Sequence, residues 1–529
     1  MPLTSLTGAM FLGSERRTGA GPALSSVDPR TDTVLEPAYG SATPDDIARA
    51  CELAERAAVA YRATSPERRA TFLERVADHI EDIREELITR AVTETGLTAG
   101  RIRAERERTT GQLRLFATEV RDGAWAQVRI DRALRDRTPL PRPDLRQRHL
   151  GIGPVAVFGA GNLPLAFSVA GSDTASALAA GCPVVVKGHS AHLGTAELVG
   201  SAVAAAVRRS ELPQGVFSLL FGPGTRTGRA LVADPRIQAV GFTGSRAGAT
   251  ALTRTAADRH VPIPVYAVTG GVNPVFLLPG ALRDRSAVLV RGFTEALTRD
   301  AGQLRTKPGL LVAVDGLELA EFLTSAAAVL ASDTGRTMLS RAVREAYDRD
   351  TAALAAVEGV REIVAGQPGE GANTCVARLF TAPAEVFLAE PALQDGVFGA
   401  AATVVTCRNV DQLGEVAHAV RGQLTATVHH GPGDADTARA LLPVLETRAG
   451  RVLYDGWPTG VEVGHAMVHG GPCPAASDPR STAVGTLAMR RFLRPVCYQD
   501  VPADLLPAVL DDENPYGLRR RLDGAREPR

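Results

Sequence analysis

The sequence predicts an α/β protein with parallel sheets, from its composition and from one repeated pattern. It has 529 residues, 45% hydrophobic and 22% charged, which is typical of a globular chain of two or three domains. From residue 151 onward, short apolar runs rich in β-branched residues alternate with helical stretches, and a second alternating region extends from 273 to about 478. Such runs are typical of buried strands joined by right-handed crossover helices. They occupy residues 155–158, 183–186, 216–220, 238–241 and 273–278, with helices predicted at 194–208 and 245–257.

The part of the chain before these strands is predicted to be mostly helical. Thr43 followed by Pro44 is typical of a capped helix start, and Ser65 followed by Pro66 indicates a second start. Apolar residues then recur at helical spacing, which predicts one buried face on each helix. These residues are Ile47, Cys51, Ala54, Ala58 and Tyr61 on the first helix, and Phe72, Val76, Ile80, Ile83 and Leu87 on the second.

Two segments are predicted to lie outside regular elements. Residues 136–146 contain three prolines, so we expect a connector, because proline breaks the interior of a helix. Residues 519–529 are charged and lack periodicity, so we expect this end to be frayed.

Charge and cysteine content exclude several classes of function. Lys plus Arg and Asp plus Glu are 59 each, so no global positive field would attract nucleic acid or an anionic membrane. No run of about 18 apolar residues predicts a membrane span, and the first 17 residues do not resemble a secretory signal. The six cysteines lack Cys-x-x-Cys spacing, which argues against a disulfide framework or a zinc site and favours a reducing cytoplasm.

Lysine is almost absent from this chain. Of the 59 basic residues, only Lys187 and Lys307 are lysines. A coding preference for arginine explains the arginine-rich surface, but it does not explain why lysine persists at these two positions. Both lysines are therefore candidate functional residues.

Several segments resemble the aldehyde dehydrogenase family, and within it the branch that oxidises α-ketoglutaric semialdehyde (2,5-dioxovalerate). The first is GIGPVAVFGAGNLPLAFSVAGSDTASALAAGCPVVVKGHSAHLG at residues 151–194. The match runs in collinear order from about residue 25 to 515, which makes it far more specific than a lone glycine motif. Further matching segments are GFTGS at 241–245, NPVFLL at 273–278, GWPTGVEV at 456–463, HAMVHGG at 465–471 and RRFLRPVCY at 490–498.

The resemblance implies an aldehyde-dehydrogenase fold of two parallel α/β domains and a small β flap. It also implies a homo-oligomer, a dimer or a tetramer. The cysteine and charge patterns add the expectation of a cytoplasmic protein that binds neither nucleic acid nor membrane, and the cations at residues 305 and 307 add that of a small carboxylate or carbonyl acid as ligand. The expected divisions are a dinucleotide-binding domain at 1–126 and 150–266, a catalytic-type domain at 267–478, the oligomerisation flap at 127–149 and 486–500, and a C-terminal tail at 501–529.

The resemblance further implies which residues would bind NADP or NAD. Lys187 matches a lysine that bonds the cofactor ribose, and it ends a run of three valines, where open α/β sheets bind ligands. Ser190 stands where NAD-preferring members often carry a glutamate, which favours NADP because a 2′-phosphate has room there. The family places the pyrophosphate and nicotinamide side against the 241–245 loop, before a helix N-terminus. The other expected cofactor-binding residues are Gly241, Thr243, Gly244, Ser245 and Phe398.

Three positions that carry the family's chemistry are substituted. Members oxidise aldehydes with a cysteine thiolate, an oxyanion-binding asparagine and a water-activating glutamate. Asn162 keeps the asparagine, but Arg305 stands in the cysteine position and Val268 in the glutamate position. Gly396 replaces a second glutamate that steadies the nicotinamide ribose, which weakens the expectation of cofactor binding. Arginine cannot act as a nucleophile and valine carries no proton, so we predict that the thioester mechanism is lost.

Arg305 and Lys307 leave two interpretations open. In the first, Arg305 clamps a carboxylate or phosphate and lowers the pKa of Lys307, which becomes an amine nucleophile or a proton shuttle. In the second, the site is disabled and Lys307 points to solvent. The candidate catalytic residues are Asn162, Arg305 and Lys307, with the thiol and the base absent.

Three hypotheses for the function follow from this pattern. The leading one is an aldehyde-dehydrogenase-fold protein that has lost oxidation and either binds a ligand or performs non-redox chemistry on a carbonyl acid. An alternative is an NAD(P)-dependent semialdehyde dehydrogenase that works by an atypical mechanism. A third is a structural partner that assembles with an active homologue.

Two further residue patterns have mainly structural explanations. His465 and His469 are spaced like metal ligands, but both lie in a family segment that holds no metal, so no metal site is predicted. Tyr266 is as consistent with a core residue as with one that lines the tunnel between the domains.

Overall fold

The computed structural model describes residues 6–527. Its strands run in chain order as follows: β1 (Met10–Leu12), β2 (Glu15–Arg17), β3 (Ala23–Asp28), β4 (Thr33–Gly40), β5 (Val128–Asp131), β6 (Leu145–Gly151), β7 (Val155–Phe158), β8 (Val184–Lys187), β9 (Phe217–Leu220), β10 (Ala239–Thr243), β11 (Val265–Val268), β12 (Pro274–Leu277), β13 (Leu310–Val314), β14 (Arg336–Thr337), β15 (Arg361–Ala365), β16 (Thr374–Cys375), β17 (Arg378–Pro383), β18 (Ala401–Cys407), β19 (Gln423–His429), β20 (Ala449–Tyr454), β21 (Leu493–Gln499), β22 (Arg520–Leu522) and β23 (Ala525–Arg526).

The α-helices pack on both faces of the larger sheets or form the N-terminal layer. They are α1 (Pro44–Arg62), α2 (Pro66–Asp82), α3 (Arg84–Thr95), α4 (Ala99–Asp122), α5 (Ser172–Ala179), α6 (Leu193–Arg209), α7 (Arg229–Ala233), α8 (Arg246–Ala257), α9 (Pro279–Thr298), α10 (Leu317–Ala331), α11 (Arg341–Ala355), α12 (Ala384–Ala389), α13 (Val410–Ala419) and α14 (Ala435–Arg448).

The first sheet has seven strands in the order β11-β10-β7-β8-β9-β1-β2. The strands from β11 to β9 are parallel. Strands β7, β8, β9 and β10 lie within two residues of the bounds predicted from the apolar runs, whereas β11 was not predicted. In this register Phe158 pairs with Lys187 and Thr243 with Val268, so these four residues mark the carboxyl edge of the sheet. The antiparallel strands β1 and β2 were not predicted, because this segment was expected to be mostly helical.

The second sheet also has seven strands, in the order β15-β17-β18-β13-β12-β19-β20, and all but its β15–β17 pair are parallel. Its amino edge is formed where β12, β13 and β18 begin, at Pro274, Leu310 and Ala401. The loops that precede these strands contact the carboxyl edge of the first sheet. The two sheets therefore meet at a cleft, and the candidate site lies in it.

The third sheet, of five strands, has the order β21-β6-β5-β22-β23. The predicted connector at 136–146 is irregular up to residue 144, after which β6 begins. The expectation of a frayed C-terminus is wrong for residues 519–527, because β22 pairs with β5 and Arg520 is buried, donating to Glu527 and to the carbonyls of Asp511 and Asp512. Residues 528 and 529 lie outside the described range.

The N-terminal helices begin where the sequence predicts. Thr43 caps α1 in a reciprocal box with Asp46, and the Ser65 hydroxyl accepts from the backbone of Arg68 at the start of α2. The predicted apolar residues of both helices are buried in the core around the first sheet. The second predicted helix is divided, however, because α2 ends at Asp82 and Leu87 lies on α3. Within residues 6–527, no helix combines the length and apolar character that crossing a bilayer requires.

Candidate functional site

The loop that carries Asn162 follows β7, and the buried carboxylate of Glu105 holds it in place. Glu105 on α4 accepts from the amides of Leu165 and Ala166, at 2.9 and 2.8 Å. Arg101 forms ion pairs of 2.8 Å with both Glu105 and Asp300, so it ties this loop to the loop before β13. The Asn162 side chain crosses the same gap, because its Nδ2 donates to the Gln303 carbonyl at 2.7 Å.

The loop before β13 turns sharply to bring residues 303–307 into the cleft. Asp300, Ala301 and Gly302 all have positive φ, and at Gly302 the neighbouring backbone leaves no space for a side chain. A Cβ on Gly302, at its φ of +69°, would lie 2.3 Å from the carbonyl carbon of Gly399. Gln303 then locks the turn, since its side chain donates to the Asp300 carbonyl and accepts from the amide of Leu339.

Arg305 spans the cleft between the two sheets. Its Nη1 donates to the carbonyls of Gly244 and Thr269, at 2.7 and 2.8 Å, and its guanidinium lies 5.9 Å from the centre of the Phe398 ring. Its Nε is buried without a hydrogen-bond partner. Burial lowers the pKa of Arg305 to about 10, so it still carries its charge at neutral pH.

Lys307 points to the second sheet and not to solvent. Its Nζ donates to the carbonyl of Ala401, at the start of β18, and the side chain is buried. Burial lowers the pKa of Lys307 to about 7. From the sequence we expected the charge of Arg305 to cause this lowering. The Asn273 side chain donates to the carbonyls of both Arg305 and Lys307, at 2.8 and 3.0 Å, and so fixes the segment between them.

Lys187 lies at the carboxyl end of β8, where the sequence predicts it. The side chain is buried, and burial lowers the pKa of Lys187 to about 8. Ser190, three residues further, is exposed. The structure thus puts one lysine on each side of the cleft, Lys187 on the first sheet and Lys307 on the second.

His189 is a site residue that the sequence analysis missed. Its Nδ1 accepts from the amide of Ala191 at 3.2 Å, which assigns the proton of the neutral ring to Nε2. A Cβ on Gly161 would lie 3.1 Å from this Nε2, so the ring faces the backbone next to Asn162. Burial, together with the neighbouring cations of the cleft, lowers the pKa of His189 well below its usual range. The sequence offered one indication of this role, the position of His189 two residues after Lys187.

The 241–245 loop connects β10 to α8. Ser245 caps α8, accepting from the amide of Gly248 at 3.1 Å, and the Gly244 amide donates to the Val268 carbonyl. The Thr243 hydroxyl is buried without a partner, and Gly241 packs against Asp173. The helix N-terminus and the orphaned hydroxyl suit an anionic or polar ligand.

Neither of the two positions expected to carry a glutamate has a polar side chain, since one holds Val268 and the other Gly396. Val268 is buried in an apolar cluster with Phe167, Leu424 and Val484. A Cβ on Gly396 would lie 2.9 Å from the carbonyl oxygen of Gly271. No carboxylate is therefore present at either position.

Two of the cysteines, Cys375 and Cys473, lie beside loops that form this cleft. Cys375 is buried, its Sγ lies 3.9 Å from the Ala301 carbonyl oxygen, and burial raises the pKa of its thiol to about 11. Cys473 is exposed and precedes Pro474, whose carbonyl accepts from the Thr269 hydroxyl at 2.6 Å. Cys473 is thus next in sequence to Pro474, which contacts Thr269, and the carbonyl of Thr269 accepts a hydrogen bond from Arg305. The sequence alone did not indicate this arrangement.

The two histidines of the 465–471 segment differ in their surroundings. His465 is exposed, with its Nδ1 3.8 Å from a carboxylate oxygen of Glu119. His469 is buried with its ring 5.7 Å from that of Phe167, and burial lowers the pKa of His469 to about 3. Tyr266 is half-buried and packs edge-on against Phe492.

Comparisons with known proteins give one consistent result. The model of the aldehyde dehydrogenase family matches residues 17–471. The chain is 52% identical over 523 residues to α-ketoglutaric semialdehyde dehydrogenase 2 of Azospirillum brasilense, covering 99% of this chain and 100% of that protein. It is 42% identical over 518 residues to α-ketoglutaric semialdehyde dehydrogenase of Acinetobacter baylyi, covering 98% of each.

Solved structures agree on the fold. A point mutant of aldehyde dehydrogenase C of Pseudomonas syringae, in complex with NAD+ and octanal, has a TM-score of 0.77 at 23% identity and covers 94% of this chain and 98% of its own. Betaine aldehyde dehydrogenase of Staphylococcus aureus, in complex with NAD+, has a TM-score of 0.79 at 19% identity and covers 94% and 96%. These likenesses confirm the predicted fold, and the family match confirms the predicted resemblance. The chain belongs to the aldehyde dehydrogenase family.

Proposed function

We propose that this protein has lost thiol-based aldehyde oxidation and uses the scaffold to bind a small carbonyl acid, with or without non-redox chemistry. The observation that carries the proposal is the guanidinium of Arg305, which spans the cleft by hydrogen bonds to Gly244 and Thr269. A permanent cation held by two carbonyls cannot attack an aldehyde carbon, and it occupies the space in which a thiol would act.

The surroundings of Val268 support the same conclusion. A water-activating base needs a proton-accepting atom within hydrogen-bond reach of the reacting carbon. Val268 instead packs among Phe167, Leu424 and Val484. The thiol that would form the thioester and the carboxylate that would activate water to hydrolyse it are both missing from their expected positions.

The charges around Asn162 favour an anionic ligand. Lys187 is a buried cation and Arg305 a half-buried one, and the pKa of His189 is lowered partly by their charge. Arginine binds carboxylates bidentately, and a second Asn162 amide hydrogen remains for a ligand carbonyl. The relatives are named for a substrate that combines a carboxylate with carbonyl groups. A carbonyl acid therefore suits this cleft.

The cleft residues fit one half of a dinucleotide cofactor better than the other. Lys187, the buried Thr243 hydroxyl and the N-terminus of α8 suit a ribose and a phosphate. Arg305 lies against Phe398 and Gly244, where the family resemblance expects the nicotinamide side, and Gly396 offers no carboxylate for its ribose. We propose that NADP, or less readily NAD, binds through its adenosine half.

We further propose that the protein is a cytoplasmic homo-oligomer, a dimer or a tetramer. Strand β21 supports this, because it forms one edge of the five-stranded sheet and carries exposed residues. An unpaired edge strand is a ready surface for pairing with a second copy.

The alternative function is an NAD(P)-dependent semialdehyde dehydrogenase with an atypical nucleophile. The full-length identity of 52% to α-ketoglutaric semialdehyde dehydrogenase 2 favours it. The thiol best situated for such a role is Cys473, which is exposed beside Pro474 and thereby near Thr269. Activity that disappears in Cys473→Ser and persists in Cys497→Ser, a second exposed cysteine, would establish this alternative.

The deciding experiment is an assay with α-ketoglutaric semialdehyde and NADP+ or NAD+. We expect no NAD(P)H formation by the unmodified protein. The double variant Arg305→Cys with Val268→Glu returns a thiol and a base, and we expect it to gain measurable oxidation. Arg305→Ala with Val268→Ala is the matched control that opens the same space without reactive groups. Robust NAD(P)H formation by the unmodified protein would overturn the proposal.

The imine version of non-redox chemistry has its own test. A primary amine and a ketone form an imine with loss of water, and borohydride reduces it to a stable secondary amine. Because the chain has only two lysines, peptide mapping after trapping with α-ketoglutarate separates Lys307 from Lys187. The hydrogen bond from Lys307 to Ala401 favours simple ligand binding, so we expect no adduct at Lys307.

A further inference from the structure

A second cluster of cations lines a cavity of about 190 Å³ that shares no lining residue with the site around Asn162. The cavity lies between the ends of α1 and α5, the start of α2, strand β6 and residues 507–516. Its basic lining consists of Arg62, Arg69, Arg148 and His149, and its apolar lining includes Trp125 and Tyr516. Burial lowers the pKa of His149, so the three arginines carry the charge. None of the side chains that line it is a carboxylate.

The three arginines differ from most arginines of the chain in lacking acidic partners. Within residues 6–527 none of them forms an ion pair, whereas Arg146, on the same strand as Arg148, pairs with Asp144 and Asp512. Arg62 has a buried Nε without any hydrogen bond. Burial lowers the pKa of Arg62, and the charges of Arg494 and Arg148 add to this lowering. Such a cluster is costly unless an anion joins it.

The arginines have distinct parts in the cavity. The fully buried Arg69 is held by helix ends, since it donates to the carbonyls of Arg62, Thr64 and Ala179, and it lies 5.3 Å from the Trp125 ring. Arg148 uses only its Nε, donating to the Tyr498 hydroxyl at 3.3 Å. Arg62 and Arg148 thus retain guanidinium hydrogens for a ligand, and Arg69 with Trp125 forms a rigid wall beside them.

We propose that this cavity binds a small dianion that carries carboxylate or phosphate groups. Its volume of about 190 Å³ is sufficient for a compact ion with a short carbon skeleton. Guanidinium groups bind both kinds of oxyanion through paired hydrogen bonds. The flat apolar surfaces of Trp125 and Tyr516 accommodate a short carbon skeleton.

Calorimetric titration tests the proposal with inorganic phosphate and with succinate, each at constant ionic strength set with sodium chloride. We expect saturable binding of at least one of these anions. Arg62→Gln with Arg148→Gln, which removes two charges at similar size, is expected to weaken it at least tenfold. Arg148→Lys keeps the charge but loses the paired hydrogen bonds, so its affinity should lie between those of the unmodified protein and the double variant, which guards against a merely misfolded variant.

Two controls separate this site from other effects. Arg56→Gln removes an exposed charge from the same helix as Arg62 and should leave the affinity unchanged. Arg114→Gln, which removes an exposed charge from α4, should also leave it unchanged. Absence of saturable binding for both anions, or equal binding by the Arg62→Gln/Arg148→Gln variant, would overturn the proposal. The proposal would also be overturned if that variant lost its oligomeric state while its anion binding stayed the same, since a second copy would then cover these arginines.

Discussion

Arg305, which is half-buried, and Lys307, which is buried, illustrate how cations are held by carbonyl groups inside a protein. Arg305 donates to the carbonyls of Gly244 and Thr269, and Lys307 donates to that of Ala401. Carbonyl oxygens satisfy hydrogens without neutralising charge, so desolvation dominates and lowers both pKa values. The two neighbours in sequence therefore act on different sheets, one bridging the cleft and the other anchoring the loop.

Lys307 predicts a specific dependence of stability on pH. Its pKa is about 7 in the folded protein and near its ordinary, higher value when unfolded, so between these values the unfolded chain binds more protons. Stability should therefore rise as the pH rises above 7. Lys307→Met removes this contribution, so the unmodified protein should gain stability relative to the variant between pH 7 and pH 9. Urea denaturation at both pH values measures this, and parallel changes in the two proteins would contradict it.

The elements act mainly by setting where the loops begin and end. Strands β7, β8, β10 and β11 end at one edge, and their loops deliver Asn162, Lys187, Gly244 and Thr269. Strands β13 and β18 begin at the opposite edge, and the preceding loops deliver Arg305, Lys307 and Phe398. The tight turn at 300–302 is the most demanding of these connections, because three successive residues have positive φ.

Gly302 offers a test of that turn. Gly302→Ala adds a Cβ at positive φ and against the backbone of Gly399, so we expect a loss of at least about 1–3 kcal/mol in the free energy of unfolding. Gly414→Ala on α13 is the matched control, because its Cβ would meet no atom within 4 Å. We expect the control to gain about 0.5–1 kcal/mol, as alanine favours helix. Thermal or urea unfolding compares the two, and equal stabilities would refute the packing argument.

At the scale of the whole molecule, the two large sheets are joined across their cleft by polar contacts. Arg305 reaches Gly244, Asn162 reaches Gln303, and Arg246 pairs with Asp395 at 2.7 Å. The first two contacts are partly or fully buried, whereas the third is exposed and contributes little. The cleft is therefore fixed by hydrogen bonds at the place where a nicotinamide side would be expected.

This arrangement predicts how nucleotides bind. We expect NADP and 2′,5′-ADP to bind with affinities within about threefold of each other, because Arg305 leaves no room for the nicotinamide half to add contacts. Arg305→Ala should strengthen NADP binding and leave 2′,5′-ADP unchanged, and Lys187→Ala should weaken both. Calorimetry with each nucleotide measures these affinities. Binding of NADP at least tenfold tighter than 2′,5′-ADP by the unmodified protein would contradict the prediction.

The sequence by itself determined the parallel α/β architecture, the helix starts at Thr43 and Ser65, and the family. These features depend on local patterns, namely apolar runs, capping residues and collinear motifs, which are legible before folding. The sequence also indicated Asn162, Lys187 and Arg305 as members of one cleft, through the resemblance. It did not indicate β1, β2 or β22, because short strands depend on pairing with distant segments.

Only the tertiary structure decided what the cleft residues contact. It directed Lys307 to Ala401, brought the ring of His189 beside Gly161, and gave the Arg305 guanidinium two carbonyl partners from separate loops. It also gathered Arg62, Arg69 and Arg148 around one cavity from three elements. Side-chain direction and burial depend on how sheets and helices pack, and sequence spacing carries no information about contacts between segments so far apart.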